Sequence, residues 1–252
     1  MSTHIHLASD LHLGAPDVPS SHVRERRFVQ WMRDAARGEG FASGKPATEI
    51  HLLGDMFDFW FEYRHAVPRG GVRLLGAIAE LTDGGLPIHF HAGNHDMWSF
   101  GYLEEETGVT LHRKPIVREF DKLKCMIGHG DGLGQGDNGF KAIKRIFDSR
   151  ACQRAFSWLH PNWGVRLARA WSARSRQQGE APWTSAEQEH LVQFAEASLG
   201  QADAFIFGHR HLPVEHLLSD GKSQYINTGD WITHHTSVVI SGGAVQLLKH
   251  QP

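Results

Sequence analysis

Five short clusters along the chain combine carboxylates, an amide and imidazoles with glycine: Asp10-Leu11-His12, Gly54-Asp55, Gly93-Asn94-His95-Asp96, Gly128-His129 and Gly208-His209-Arg210-His211. Carboxylate oxygens, an amide oxygen and neutral imidazole nitrogens suit Mn²⁺, Fe²⁺ or Zn²⁺, and the lack of thiolates in the set argues against a structural zinc site. Any one cluster alone reads more readily as an ordinary turn or cap than as a functional group. Five in this order, each directly after an apolar run, point to one centre assembled from loops.

The elements that must position those loops follow from the patterning. Apolar runs at His4–Ala8, Glu49–Leu53, Ile88–His91, Leu123–Ile127 and Ala204–Phe207 read as buried strands, each leaving into one of the clusters. Helical spacing occupies Val23–Arg37, Val72–Leu81 and a segment near Ser185–Leu199. Gln224–Asn227, Thr236–Ile240 and Ala244–Leu248 read as strands, the last two joined by a hairpin at Gly242 and Gly243. The β-α-β-α-β order predicts a layered α/β domain of two packed sheets flanked by helices, in which strand ends gather in a shared crevice. We expect one domain over residues 1–252.

The clusters together resemble the calcineurin-like metallophosphoesterases, whose pattern D-x-H, GD, GNH(D/E), GH and GHxH is present in full from Asp10 to His211. The resemblance implies a four-layer α/β/β/α sandwich and two divalent metal ions, Mn²⁺ first and Fe²⁺ or Zn²⁺ as alternatives. One ion would be held by Asp10, His12 and His211 and the other by Asn94, His129 and His209, with Asp55 bridging. Two cations roughly 3.5–4 Å apart repel strongly, which a shared carboxylate and a bridging hydroxide offset. His95 is similar to the family's histidine that contacts the phosphate or protonates the leaving oxygen. Asp96 either orients His95 or caps the loop.

A narrower resemblance, to the UDP-2,3-diacylglucosamine hydrolases that release UMP and lipid X in lipid A assembly, rests on three stretches. These are Gly54–Trp60 (GDMFDFW), the Gly-rich run His129-Gly130-Asp131-Gly132, and Phe140–Arg176. It implies a helical lid inserted at about 137–180 over the metal cleft, an anionic nucleotide-lipid substrate, and peripheral contact with the cytoplasmic face of the inner membrane. The chain departs in carrying His95 where one branch of these hydrolases carries arginine, which aligns it with a divergent branch. Lys141 to Arg176 holds nine basic residues against one acid, Asp148, in a chain whose formal net charge is −2. The pairs Ile143/Phe147 and Trp163/Leu167/Trp171 recur every four residues, so the insert is expected to be helical and amphipathic. Its surface suits an anionic amphiphile, although packing of the apolar stripe on the core with solvated charges remains the plain alternative. Expected substrate contacts are Asp58, Arg64, Asp131, Phe140, Lys141, Lys144, Arg154, Trp163, Arg166 and Arg169. Glycines 128, 130, 132, 134, 136 and 139 would let the insert move.

Other residues carry less. Asn227-Thr228-Gly229-Asp230-Trp231 with His234-His235 reads either as a phosphate or uracil contact or as a turn. His4, His6, His51, His89 and His91 are expected to pack or hydrogen-bond on strands, and Cys125 to be a buried apolar residue. At 252 residues and 40% apolar the chain can bury a large core. Two cysteines exclude a multi-bridge framework, no run approaches the roughly 18 apolar residues of a membrane span, and the start shows no signal-peptide pattern, so a cytoplasmic location is expected. No motif supports nucleic acid. A soluble nucleotide or cyclic-nucleotide phosphodiesterase and a non-catalytic metal-bound scaffold are the competing functions. Composition does not fix an oligomeric state.

Overall fold

The computed structural model describes residues 3–41, 44–134, 138–178 and 185–251. In chain order the elements are β1 (His4–Ala8), α1 (Val18–Arg37), β2 (Glu49–Leu52), α2 (Val72–Asp83), β3 (Ile88–His91), α3 (Tyr102–Thr107), β4 (Thr110–His112), β5 (Ile116–Phe120) and β6 (Leu123–Gly128). They continue with α4 (Asn138–Asp148), α5 (Arg150–Ser157), α6 (Pro161–Gln178), a 3₁₀ turn (Ala186–Gln188), α7 (His190–Ala197), β7 (Ala204–Phe207), β8 (Pro213–Leu217), β9 (Gln224–Thr228), β10 (Thr236–Ser241) and β11 (Ala244–Lys249).

Six strands form one sheet in the order β11-β10-β1-β2-β3-β4, and five form the other in the order β5-β6-β7-β9-β8. Strands β1 to β4 pair in parallel, as do β6, β7 and β9, while β10 and β11 in the larger sheet and β5 and β8 in the smaller pair antiparallel. Period-two alternation sorts the side chains into layers. On β2 and β3, Ile50, Leu52, Ile88 and Phe90 join Phe28, Met32, Leu74 and Ile78 of α1 and α2 in one core. Ile5, Leu7, Ile127, Ile206 and Val238 form a second core between the sheets. Leu191, Val192 and Ala195 of α7 cover the outer face of the smaller sheet with Phe205, Phe207 and Tyr225. The layering is therefore α/β/β/α, as expected.

Several boundaries differ from expectation for local reasons. Helix α1 begins five residues before Val23, because the Asp17 carboxylate accepts the Ser20 N–H at 2.9 Å and Pro19 suits the first turn. The segment near Ser185–Leu199 is a 3₁₀ turn followed by α7. Glu189 between them is extended (φ −81°, ψ 115°) and buried, its carboxylate accepting from Arg210 Nε at 2.9 and 3.0 Å. The short β4, β5 and β8 went unread in the sequence, being half-exposed edges without a clean period, as did α3, whose six residues are too few to show one. The expected insert contains three helices, α4, α5 and α6; its bounds at 137 and 180, Gly136, and the Phe140 side chain lie outside what is described.

Candidate metal centre and active site

The parallel strands of both sheets point their carboxyl ends at one crevice. Strands β1, β2 and β3 lead to Asp10, Asp55 and Asn94; β6, β7 and β9 lead to His129, His209 and Asp230. The loops are tied to one another: Asp10 N–H donates to Gly54 O (3.0 Å), His12 N–H to Asp55 O (2.9 Å) and Gly208 N–H to His129 O (2.9 Å). Asp10, His12, Asp55, His209 and His211 all adopt left-handed backbone (φ 44° to 70°), an uncommon conformation for non-glycine residues that clusters at functional sites. Glycine is required at Gly93 and Gly208 for close approach. A Cβ at Gly93 would stand 2.6 Å from Asp55 N, and one at Gly208 would stand 2.7 Å from Asp10 Oδ2.

All seven expected ligands converge. Asp10, His12 and His211 offer ligand atoms to one point, and Asp55, His129 and His209 to another. His211 Nε2 stands 3.1 Å from Asp10 Oδ1 and 3.2 Å from His12 Nε2. Asn94 Oδ1 lies 3.2 Å from His129 Nε2. Asp55 Oδ2 lies between the groups, 3.6 Å from His12 Nε2 and 3.3 Å from His129 Nε2. Asp10 Oδ1 is buried and faces the His211 and His12 nitrogens at 3.1 and 3.7 Å without a well-formed hydrogen bond, the arrangement of ligand atoms turned toward a shared cation. The donor set and this convergence of ligand atoms fit divalent cations of the Mn²⁺, Fe²⁺ or Zn²⁺ kind.

The electrostatics agree. Burial alone would raise Asp10 and Asp55, yet His211 and His12 hold the first, and His129 and His95 the second, well below the usual carboxylate range. Burial would lower His12, but the surrounding Asp10, Asp58 and Asp55 carboxylates raise it to about 10. His129 is raised likewise by Asp55, so imidazoles and carboxylates favour one another's charged forms, and a divalent cation bound there would compete with those protons. His209 is lowered to about 4 by burial and by His129.

Partners outside the clusters set ring orientation. His129 Nδ1 donates to Leu53 O at 2.7 Å, which leaves Nε2 facing Asp55. His95 Nδ1 is 2.7 Å from Asp58 O, and its Nε2 is 4.0 Å from Asp55 Oδ2. The Asp58 carbonyl, not Asp96, therefore orients His95. Asp96 accepts from Gly93 N (2.6 Å) and Met56 N (2.8 Å) and clasps the two loops, the capping alternative. Burial and the Asp55 charge push it up to about 7.

Sequence reasoning did not assign the supports behind these groups. Arg24 on α1 donates to Leu11 O, His12 O and Ala15 O (2.6–2.7 Å), pinning the first loop. Asp230 Oδ2 stands 3.7 Å from His211 Nδ1, and Thr228 Oγ1 is 2.6 Å from Ser9 Oγ, which in turn bonds Asp10. Ser172 on α6 donates to Asp58 Oδ1 at 2.8 Å. Only Thr228 and Asp230 had a signal, lying in the Asn227–Trp231 stretch.

The other expected contacts divide. Asp131, Lys141 and Lys144 line a cleft of about 280 Å³ beside His129, together with Arg113 and Lys114. Lys144 Nζ bonds the Asp131 carboxylate. Asp58 is buried beside His12, whereas Arg64, Arg154 and Arg166 are exposed and Arg169 is half-buried. On the insert, Phe147 and Phe156 pack against Trp98, and Phe156 also meets Phe59 and Phe61. Trp158, Trp163, Leu167 and Trp171 are exposed, at 89%, 68%, 62% and 58%, so most of the stripe does not pack on the core.

Two stacked sheets with a nitrogen-and-oxygen double cluster at their strand ends define a metal-dependent phosphoesterase. No protein-family model matches the chain. A UDP-2,3-diacylglucosamine hydrolase of Porphyromonas gingivalis is 36% identical over 98% of this chain and 97% of its own. Enzymes of the same name from Serratia proteamaculans (26%, 96% of each chain) and Proteus mirabilis (28%, 81% and 85%) are also similar. The chain belongs to the UDP-2,3-diacylglucosamine hydrolase family.

Proposed function

We propose that this chain hydrolyses the pyrophosphate bond of UDP-2,3-diacylglucosamine to UMP and 2,3-diacylglucosamine 1-phosphate. The observation that carries the reading is the full-length likeness to a hydrolase of that name, on a chain whose Asp55 stands between two ligand clusters. Asp10, His12 and His211 would hold one divalent ion and Asn94, His129 and His209 the other, with Asp55 shared; Mn²⁺ is our choice of metal. Such ions, when bound, supply an acidified water and charge neutralisation at the phosphoryl oxygens.

The side chains do the rest. Because His95 Nδ1–H is committed to the Asp58 carbonyl, the neutral ring presents Nε2 as an acceptor. Burial lowers His95, and an arriving phosphate anion favours the imidazolium that can give a proton to the leaving oxygen. Lys141, Lys144, Arg113 and Lys114 make the cleft beside His129 suited to the diphosphate end of the substrate. The exposed tryptophans and Arg154, Arg166 and Arg169 of the insert suit the acyl chains and an anionic membrane surface.

We read residues 1–252 as one catalytic domain, with the helices of about 137–180 as its lid, working as a peripheral protein on the cytoplasmic face of the inner membrane. Among the described residues no helix is long and apolar enough to cross a membrane. The test is UMP release from UDP-2,3-diacylglucosamine in detergent with added Mn²⁺, beside a soluble nitrophenyl phosphodiester and chelator controls. Rapid chelator-sensitive cleavage of the lipid, far above the soluble ester, is expected; cleavage of the soluble ester alone would replace the lipid reading with that of a nucleotide phosphodiesterase.

A further inference from the structure

A second set of imidazoles lies apart from the crevice. The outward faces of β2 and β3 are apolar, but the faces turned toward the other sheet carry Glu49 and His51 on β2, His89 and His91 on β3, and His112 on β4. Strand register sets His51 beside His89 and His91 beside His112. His51 and His91 are fully buried where a β-sandwich ordinarily places aliphatic residues.

The geometry of three of these groups is specific. His51 Nε2 and His89 Nε2 each stand 3.3 Å from Glu49 Oε2, and all three ligand atoms fall within one 4.8 Å cluster. Tetrahedral zinc with bonds of about 2.0–2.1 Å sets neighbouring ligand atoms about 3.3 Å apart. The far nitrogen of each ring is also engaged. His51 Nδ1 is 3.1 Å from His91 Nε2, and His89 Nδ1 is 2.9 Å from His112 Nε2, the outer support that metal-binding histidines use. Burial lowers His51 to about 4, so its ring is neutral, while Glu49 is held well below the usual carboxylate range against the effect of burial by His51, His89 and Arg118.

A cation already touches this cluster. Arg118 Nη1 on β5 is 2.5 Å from Glu49 Oε2 and 3.2 Å from His89 Nε2, and Nη2 donates to Glu49 Oε1 at 2.9 Å. Arg118 is one-third exposed and lies over the Phe120 ring at 5.0 Å, so its guanidinium has room to leave toward solvent. We propose that Glu49, His51 and His89 form a zinc-class divalent-metal site, separate from the Asp55 centre, in which the ion takes the place of the Arg118 guanidinium. Three protein ligands leave a fourth position for water or for a ligand group of a partner.

The test counts zinc per chain by mass spectrometry after dialysis against buffers of fixed free Zn²⁺. The wild-type chain is expected to hold one equivalent more than Glu49→Gln, with His89→Asn as the substitute should that variant fail to fold. The same difference is expected in an Asp55→Ala background, which separates this site from the phosphoesterase centre. Arg118→Met, which leaves every ligand in place, should fill at lower free Zn²⁺, and His112→Ala should need about 10–100-fold more. Equal counts in wild type and Glu49→Gln would overturn the proposal. So would an extra equivalent that appears only after Arg118→Met, because the native pocket would then belong to the guanidinium.

Discussion

Ser172 Oγ donates to Asp58 Oδ1 at 2.8 Å, so a helix of the insert is hydrogen-bonded to the residue whose carbonyl orients His95 and whose carboxylate stands 3.8 Å from His12. Helix α6 is thereby joined directly to the groups around Asp55. Ser172→Ala removes a hydrogen bond to a charged group, worth roughly 1.5 kcal/mol, and is expected to lower kcat/KM about tenfold. Rescue by Thr and failure of rescue by Val would distinguish the hydroxyl from packing; unchanged kinetics in the Ala variant would remove Ser172 from the positioning chain.

Asp55→Ala is expected to abolish turnover and to reduce the metal bound at the crevice, since one carboxylate serves both clusters. A rate within tenfold of wild type would overturn the ligand assignment.

Neutralising Arg154, Arg166 and Arg169 together is expected to raise KM for the lipid substrate more than for a soluble diester, because these charges lie on the insert and not at the clusters. Steady-state assays with both substrates decide it, and equal effects would mean that the charges are merely solvated.

His6 provides a pH test away from the crevice. It is fully buried between Trp31 and Phe41, both ring nitrogens lack hydrogen-bond partners, and burial lowers it to about 4. The unfolded chain therefore takes up a proton near pH 6.5 that the folded chain resists until about pH 4, so stability falls as pH drops through that window. The contribution is about 3 kcal/mol at most. Urea denaturation at pH 7 and pH 5 should show a smaller pH dependence in His6→Leu than in wild type; equal slopes would mean that the ring is protonated or solvated in the fold.

Much of the architecture was legible because the strands are short, apolar and punctuated. The runs ending at Ala8, His91 and Phe207 matched their strands to the residue, since each is bounded by a glycine or acidic turn that permits no extension. The edges β4, β5 and β8 were not legible, because half-exposed strands owe their existence to the neighbour they pair with. Asp96 shows the same limit at the site. Sequence adjacency put it beside His95, whereas the turn directs its carboxylate back onto the N–H groups of Gly93 and Met56.

The order of ligand-type residues, each after a buried strand, was written in the sequence by itself, because residue type and local period are properties of a few neighbouring positions. Which nitrogen faces inward was decided only by tertiary structure. Leu53 O turns His129, Asp58 O turns His95 and Asp230 lies behind His211, and those partners are 76, 37 and 19 residues away along the chain. The polar wall of Glu49, His51, His89 and His112 belongs to the same category. Along each strand its members alternate with ordinary core residues, and only parallel register across three strands brings them to one point.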